Sequence, residues 1–431
     1  MESTGKRFDV AIVGGGLAGV VALAYARRAG LAATVLERQG RVGGLWRDLP
    51  AWQDIQISPA DWQLGELPLQ GATQPHILAN IEAWVDHFGL AGGIQLNTPV
   101  QSAREDAAGW ELSTPRGLVH ARHLVAATGA HNTPVIPAFP RTDSTVQEFH
   151  SSALRDPGVL AGRSVLVVGG GASAFDLLDL CFQQGARRVV WAFRGTRWFV
   201  PTHKPKHIAG SVRGFARLQA SGMTAEQQSA TIGADMRARY EKFGITDIMP
   251  TQAFDVLRDQ LIPGRPGMLE HYVEIERHRA SVEGIAGDTV ALSDGQRVKA
   301  DVLLWGTGYG IDLSYFASEK IASIRTLDEL AARCGCIFRS LDASNLYFPG
   351  VGLDGIGSAT WSYSLLCRTI MSHIQGTARL DEVAMGHKLN HFDIVSHLAP
   401  RDPASYPPDT WHAHYRSIAL NTPDGQPYPI P

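Results

Sequence analysis

Four cysteines in 431 residues (Cys181, Cys334, Cys336, Cys367) and no Cys-x-x-Cys are too little sulfur for a fold built on disulfides. The single residue between Cys334 and Cys336 disfavours a redox dithiol or a zinc ribbon. Reduced, structural thiols are expected. There is no run of ~18 apolar residues that could span a bilayer, and no glycosylation sequon. Neither Gly-x-Ser-x-Gly nor His-Glu-x-x-His occurs, so a nucleophile elbow and a zinc-protease helix are excluded. Basic residues are not in excess: 39 stand against 42 acidic ones, a net charge of −3, which speaks against a dedicated nucleic-acid binder. Lys6-Arg7 before an apolar stretch ending Ala24-Tyr25-Ala26 imitates a signal peptide. Gly14-Gly15-Gly16 and Gly19 break that stretch and Arg27-Arg28 follow it, so a strand, turn and helix fit better. Without a targeting signal, a cytoplasmic protein with no membrane partner is expected.

What is present is a large apolar fraction, 44%, with 19% charged residues, enough for a sizeable core. The length suggests two or three domains. Glycine is over-represented, 45 residues, and sits in clusters. Phe8 to Val13 reads as a buried strand, Leu17 to Arg28 as a helix, and Ala33 to Leu36 as a second strand: a βαβ unit. The pattern returns with Ser164 to Val168, a helix from Ala172 to Gln184, and a strand from Arg188 to Phe193. Two further segments echo each other, His123 to Gly129 and Asp301 to Gly308, both short apolar strands ending in Thr-Gly. They are read as carrying the chain out of one unit and into the next. An amphipathic helix is expected over His76 to Phe88.

The fold class predicted is α/β, with two Rossmann-like dinucleotide-binding domains, the second inserted into the first. The expected bounds are 1–155 with 300–395 for the outer domain and 160–299 for the inner one. A charged helical insertion is expected at 205–265. From Pro400 onward the chain is proline-rich and reads as an extended arm wrapping the body or a partner. A homo-oligomer is compatible with such an arm.

The first unit carries Gly14-x-Gly16-x-x-Gly19, with Glu37, followed by Arg38, at the end of its second strand. The first glycine permits the tight turn, the second lets backbone N–H groups approach a pyrophosphate, and the third lets helix and strand pack closely. The helix N-terminus faces the phosphates with positive partial charge. Glu37 can accept from the ribose hydroxyls of an adenosine. The second unit is Gly169-x-Gly171-x-Ser173-Ala174, and Arg194 stands where the first unit has its acid. A guanidinium there attracts a 2′-phosphate that a carboxylate would repel. The outer site therefore suits FAD and the inner site NADPH. Hydride from a nicotinamide needs an acceptor, and a flavin supplies one.

Gly43-Gly44-Leu45-Trp46 follows the first unit. With Asn97-Thr98-Pro99-Val100, Ala127-Thr128-Gly129, the glycine motif at 169–174 and Gly306-Thr307-Gly308-Tyr309, in that order, the chain resembles the class B flavoprotein monooxygenases. That superfamily includes flavin-containing, Baeyer–Villiger and N-hydroxylating enzymes, and the resemblance covers about residues 7–376. It implies Gly44, Leu45 and Trp46 along the FAD, Val100 at the adenine through its backbone, Ser173 and Ala174 at the NADP phosphates, and Gly129 and Gly308 among the cofactor-binding residues. It also implies transfer of one oxygen atom from a C4a-(hydro)peroxyflavin to a small organic substrate, more readily at nitrogen or sulfur than by insertion beside a ketone.

The chain departs from the family fingerprint Phe-x-Gly-x-x-x-His-x-x-x-Tyr/Trp. It has Phe139-Pro140, a longer spacer to Phe149-His150, and Leu154 in place of the aromatic. Many flavin-containing members carry an Asn beside the flavin, where this chain offers Gln56 and Ser58; both are catalytic candidates, Ser58 foremost. No metal is expected: His387/His391 and Trp411 to Tyr415 read as a helix surface and a packed tail. Trp361 and Tyr363 are candidates for a substrate pocket, and His203, Lys204, Lys206 and His207 for a basic loop. The competing readings are an NADPH-flavin reductase serving another acceptor, Baeyer–Villiger oxygenation, and a nucleotide sensor without turnover.

Overall fold

The computed structural model describes residues 6–55, 59–62, 67–202, 222–259, 261–335, 338–349 and 359–377. The strand Lys6–Val13 lies at the centre of the first sheet, whose order is 94–95, 33–36, 6–13, 117–126, 109–114, 102–106. The first four strands run parallel, and the hairpin that follows is antiparallel. The strand Ala33–Leu36 and the helix Leu17–Arg28 fall where the apolar pattern puts them. Val10, Ala11, Ile12 and Val13 are all buried, as a parallel strand covered on both faces requires. Residues far along the chain return to this sheet. Leu346–Tyr347 pairs with Leu124 and Val125, and the helix Ala359–Ile374 lies on the helix Leu17–Arg28. There Cys367 Sγ approaches the Ala18 carbonyl at 3.9 Å, and Gln375 donates to the Ala29 carbonyl at 2.8 Å.

The second sheet has the order 276–278, 188–192, 164–168, 302–305, 147–150, all parallel. Its strand Ser164–Val168 is buried throughout, yet its residues divide by alternation. Val165 and Val167 face a core shared with the helix Ala172–Gln183. Leu166 and Val168 face a second core, shared with a small sheet formed by 282–286, 289–292, 297–299 and 141–142. A period of two with both faces apolar reads as an unbroken hydrophobic run in sequence.

Val302–Trp305, after which the chain leaves for the first sheet, is itself a strand of the second sheet: it pairs with Val165 to Val168 on one side and Gln147 to His150 on the other. Strands 147–150 and 302–305 of this sheet thus lie outside the 160–299 range. The echo between the two Thr-Gly segments has another cause. Strand 117–126 lies beside 6–13, and 302–305 lies beside 164–168, so each is the neighbour of a glycine-loop strand within its own sheet. The expected insertion, 205–265, is part of the second core where it is described. The helix Ala225–Lys242, started by a capping box of Thr224 and Gln227, sinks Met236 and Tyr240 among Trp198, Phe199 and Phe254. No helix among the described residues is long and apolar enough to cross a membrane.

The outer edge of the second sheet carries a charged cluster. His278 meets Glu276 through Nε2 at 3.0 Å and Asp294 through Nδ1 at 2.9 Å, and Arg188 pairs with Glu276 at 2.5 Å. Ionised carboxylates only accept, so both ring nitrogens donate and His278 is an imidazolium in this arrangement. Burial pulls its pKa down, but the two carboxylates outweigh that and hold it above the ordinary histidine range. Burial pushes Glu276 up, but His278 and Arg188 together hold it below the ordinary carboxylate range; Asp294 is held below that range first by the Gln296 N–H and then by His278. A folded-state pKa above the unfolded one means that the stabilisation is full below about pH 6.5 and is lost as pH rises through the folded value. The denaturation midpoint of wild type should therefore exceed that of His278→Gln most near pH 6, with the gap closing towards pH 9. A gap that widens with pH would contradict this.

Candidate functional site

Two sites emerge at the carboxyl ends of the central strands, built by the same device. Gly14 has φ +105°, and a Cβ on it would lie 2.6 Å from the Ala127 carbonyl oxygen. Gly169 has φ +135°, and a Cβ there would lie 2.2 Å from the Gly306 carbonyl oxygen. In each case the chain turns directly under the Thr-Gly strand beside it, which only glycine permits. Gly19 has its backbone against the Gly14 carbonyl. In the second unit that close contact lies between Ala174, fully buried, and Gly306, so a Cβ is accepted at 174 because none is present at 306.

The two helices that follow start at Gly16 and Gly171 with no side-chain cap and no acid in the first turn. The helices started by Thr224 and Thr326, by contrast, have complete capping boxes. Bare N–H groups and the positive end of the helix dipole are thus left for an anion. In front of Gly171, Gly129 and Gly308 there is nothing within 4 Å of where a Cβ would stand. These are cradles in which phosphate and ring can approach backbone, and the donor set fits two dinucleotides.

At the first site Glu37 is buried and accepts twice from backbone, from Gly15 N at 2.5 Å and from Gln39 N at 2.7 Å. Each carboxylate oxygen keeps a lone pair for a ribose hydroxyl. Arg38, beside it, is exposed at the rim. The Gly43-Gly44 loop lies on the phosphate loop: Gly43 N donates to the Gly15 carbonyl at 3.0 Å, and Gly44, at φ +54°, has its backbone against Gly16. Leu45 and Trp46 follow, half-buried. The turn at Asn97 (φ +51°) is tied back to the Glu37 segment by Asn97 N to the Gln39 carbonyl and Thr98 N to the Glu37 carbonyl, which brings Val100 to this site. The glycine loop at 14–19, Glu37, the Gly43-Gly44 loop and the turn before Val100 are therefore close together at one end of the first sheet.

At the second site Ser173 lies half-buried in the first helical turn. Arg194 and Arg197 are exposed and have no ion-pair partner among the described residues. Arg187 and Arg188 are engaged elsewhere, with Asp301 at 3.5 Å and Glu276 at 2.5 Å. Arg194 and Arg197, at and just beyond the end of strand 188–192, are thus the arginines left for a ligand.

Gly308 lies where the chain crosses between the sheets. Its carbonyl accepts from Val135 N and from His150 Nε2, both at 3.0 Å. Burial holds the His150 pKa below its ordinary range, so the ring is neutral. A neutral ring whose Nε2 donates must accept at Nδ1, and Ser152 Oγ is there at 2.8 Å. Phe149-His150 of the stretched fingerprint thus clasps the crossing.

The catalytic candidates Gln56 and Ser58 lie outside the described residues, as do the basic loop at 203–207, His387, His391 and the C-terminal arm. Tyr363 is half-buried, and burial pushes its hydroxyl pKa to about 12. Cys181, Cys334 and Cys367 are buried free thiols, each pushed up by burial, so none is a ready thiolate. Sequence reasoning missed a buried ion pair at the second site. Arg265, fully buried, donates through Nε to Asp176 at 2.5 Å and through Nη1 to the Pro263 carbonyl, while its Nη2 has no partner among the described residues. Asp176 lies three residues after Ser173 on the phosphate-loop helix. A lone Arg between Gly264 and Pro266 gives no periodic signal, so only the fold could bring it to that helix.

Known proteins point the same way. The family model described as pyridine nucleotide-disulphide oxidoreductase matches residues 11–237. A Baeyer-Villiger monooxygenase from Streptomyces coelicolor is 27% identical over 364 residues, covering 76% of this chain and 69% of its own. An indole-3-pyruvate monooxygenase from Oryza sativa subsp. japonica is 34% identical over 193 residues, 41% of this chain and 45% of that one. Among solved structures, an oxidised steroid monooxygenase bound to NADP shares the fold with a TM-score of 0.63 at 21% identity, covering 87% of each chain. With both glycine loops, their uncapped helices and more than half its length matched, the chain belongs to the pyridine nucleotide-disulphide oxidoreductase family.

Proposed function

We propose that the chain is an NADPH- and O2-dependent flavin monooxygenase that transfers one oxygen atom to a small organic substrate, more readily at nitrogen or sulfur than beside a ketone carbonyl. The observation that carries the reading is the opposite charge at the ends of two otherwise matching units. Glu37 closes the first and Arg194 the second, which suits FAD on the outer loop and NADPH on the inner one. The outer unit is drawn around the first sheet and the inner one around the second. Relatives named for Baeyer-Villiger chemistry, indole-3-pyruvate oxygenation and phenazine N-oxygenation support oxygen transfer as the shared outcome. The reductase alternative that works through a dithiol finds no support in three buried thiols held up by burial.

Flavin bound at the first site would supply hydride acceptance and oxygen activation. The chain's own residues bind, orient and exclude water. Helix N-termini 17–28 and 172–183 hold the two pyrophosphates, Glu37 the ribose of the first adenosine, and Arg194 the 2′-phosphate of the second. The His150–Gly308 bond holds Gly308 in place where the chain crosses between the two sheets. The soluble setting, O2 and a small-molecule partner belong to this reading.

Two measurements test it. Arg194→Ala should weaken NADPH binding by about tenfold, the scale of one charge-assisted contact, and leave NADH nearly unchanged; equal loss for both cofactors would remove the 2′-phosphate assignment. Anaerobic reduction by NADPH, followed by mixing with oxygenated buffer and a panel of amines, thioethers and ketones, should yield an oxygenated product in step with NADPH consumed. Hydrogen peroxide as the sole oxygen product across the panel would favour the reductase reading.

A further inference from the structure

Four of the tryptophan indoles among the described residues find acceptors. Trp52 donates to the Leu154 carbonyl, Trp110 to the Ser344 carbonyl, Trp191 to the Gly169 carbonyl and Trp305 to Glu148, at 2.6 to 3.1 Å. Trp62 does not. It is 6% exposed, and its Nε1 is buried without a partner among the described residues. A buried donor left without an acceptor is destabilising, so the position calls for one.

Its surroundings adjoin the first site. The Trp62 ring stands edge-on to Trp46, with ring centres 5.7 Å apart. Trp46 closes the Gly43-Gly44 loop that lies on the phosphate loop. The Thr360 hydroxyl donates to the Trp62 carbonyl at 2.8 Å, so the residue is fixed from the main-chain side by the last described helix. Trp84 also has an unpaired indole, but it lies fully buried on the helix Gln74–His87, inside the first core. Trp62 belongs to the same apolar cluster, with Ile55 and Leu69. An anion entering there would lose its hydration, so a neutral oxygen is favoured.

We infer that the Trp62 indole N–H is a positioning donor for a neutral carbonyl-type acceptor bound beside Trp46, either a carbonyl of the flavin ring or a carbonyl of the organic substrate. The inference rests on the monooxygenase reading for the identity of these ligands. No bond is made or broken: the N–H replaces one of the acceptor's hydrogen bonds to water and fixes its orientation.

The test uses the full chain labelled with ¹⁵N at the tryptophan indoles, titrated first with FAD and then, FAD-loaded, with cyclohexanone. The Trp62 resonance is assigned from its loss in Trp62→Phe, or in Trp62→Tyr if the first variant does not fold. Movement of the Trp62 indole proton to lower field with FAD assigns the acceptor to the flavin; movement only with the ketone assigns it to the substrate. The Trp84 resonance should stay in place in both titrations. Trp62→Phe, which keeps a ring and removes the donor, should then weaken the ligand that moved the resonance by about fivefold, the scale of one neutral hydrogen bond. A resonance unmoved through both titrations, with FAD binding seen in its visible absorbance, overturns the inference. The monooxygenase reading fails separately, if NADPH consumption yields only hydrogen peroxide, and that result leaves the indole free to respond.

Discussion

Both halves of this protein depend on one steric constraint: a chain leaving the central strand must turn beneath the carbonyl of the neighbouring strand. Gly14 does so under Ala127, and Gly169 under Gly306. A Cβ at either glycine would stand well inside contact distance of a backbone oxygen that cannot move without breaking a sheet. The turn, once made, starts the next helix directly over the strand end and leaves its first N–H groups bare. The steric rule and the anion site are therefore one feature. The antiparallel hairpins, the small covering sheet and the returning helix Ala359–Ile374 bury what this feature leaves exposed.

The constraint is also why the second unit can differ from the first and still work. The helix must come close to the strand, but which partner yields is free. In the first unit Gly19 yields to Gly14; in the second, Gly306 yields to Ala174. A scan for a third glycine would score the second loop as degraded. Its partner's missing side chain, 132 positions away in sequence, restores the fit. The pair exchanges volume across the contact, as close-packed interiors require.

Legibility followed the range of the interactions involved. The strands Ala33–Leu36 and Ser164–Val168 and the helix Leu17–Arg28 were readable because period, turn residues and apolar content all agree locally. The cofactor-loop residues were readable because their spacing is itself the mechanism. The place of Val302–Trp305 was not, since a four-residue apolar strand carries no address and its Thr-Gly end is compatible with either sheet. Nor were the Arg265–Asp176 pair, the His278 cluster or the unsatisfied Trp62 indole. Each depends on partners brought together by the fold from distant parts of the chain, and a hydrogen bond left unmade has no signature in sequence.

The polarity of the whole device resides in two side chains. Duplicated units with the same terminal residue would compete for the same dinucleotide, and an electron path between them would have no direction. Glu37 is made selective by being held: its two backbone N–H donors fix the carboxylate where ribose hydroxyls can reach it and a 2′-phosphate cannot approach without like-charge repulsion. Arg194 is made selective by being left alone. Arg187 and Arg188, at the other end of the strand, are engaged by Asp301 and Glu276, whereas Arg194 and Arg197 have no acidic partner among the described residues. A held acid on one loop and an unpaired base on the other distinguish donor from acceptor, and the clasp of His150 on Gly308 ties the crossing between them. On the proposed reading, the two strand ends decide which dinucleotide each loop admits; the direction of electron flow then follows from the redox potentials of the nicotinamide and the flavin.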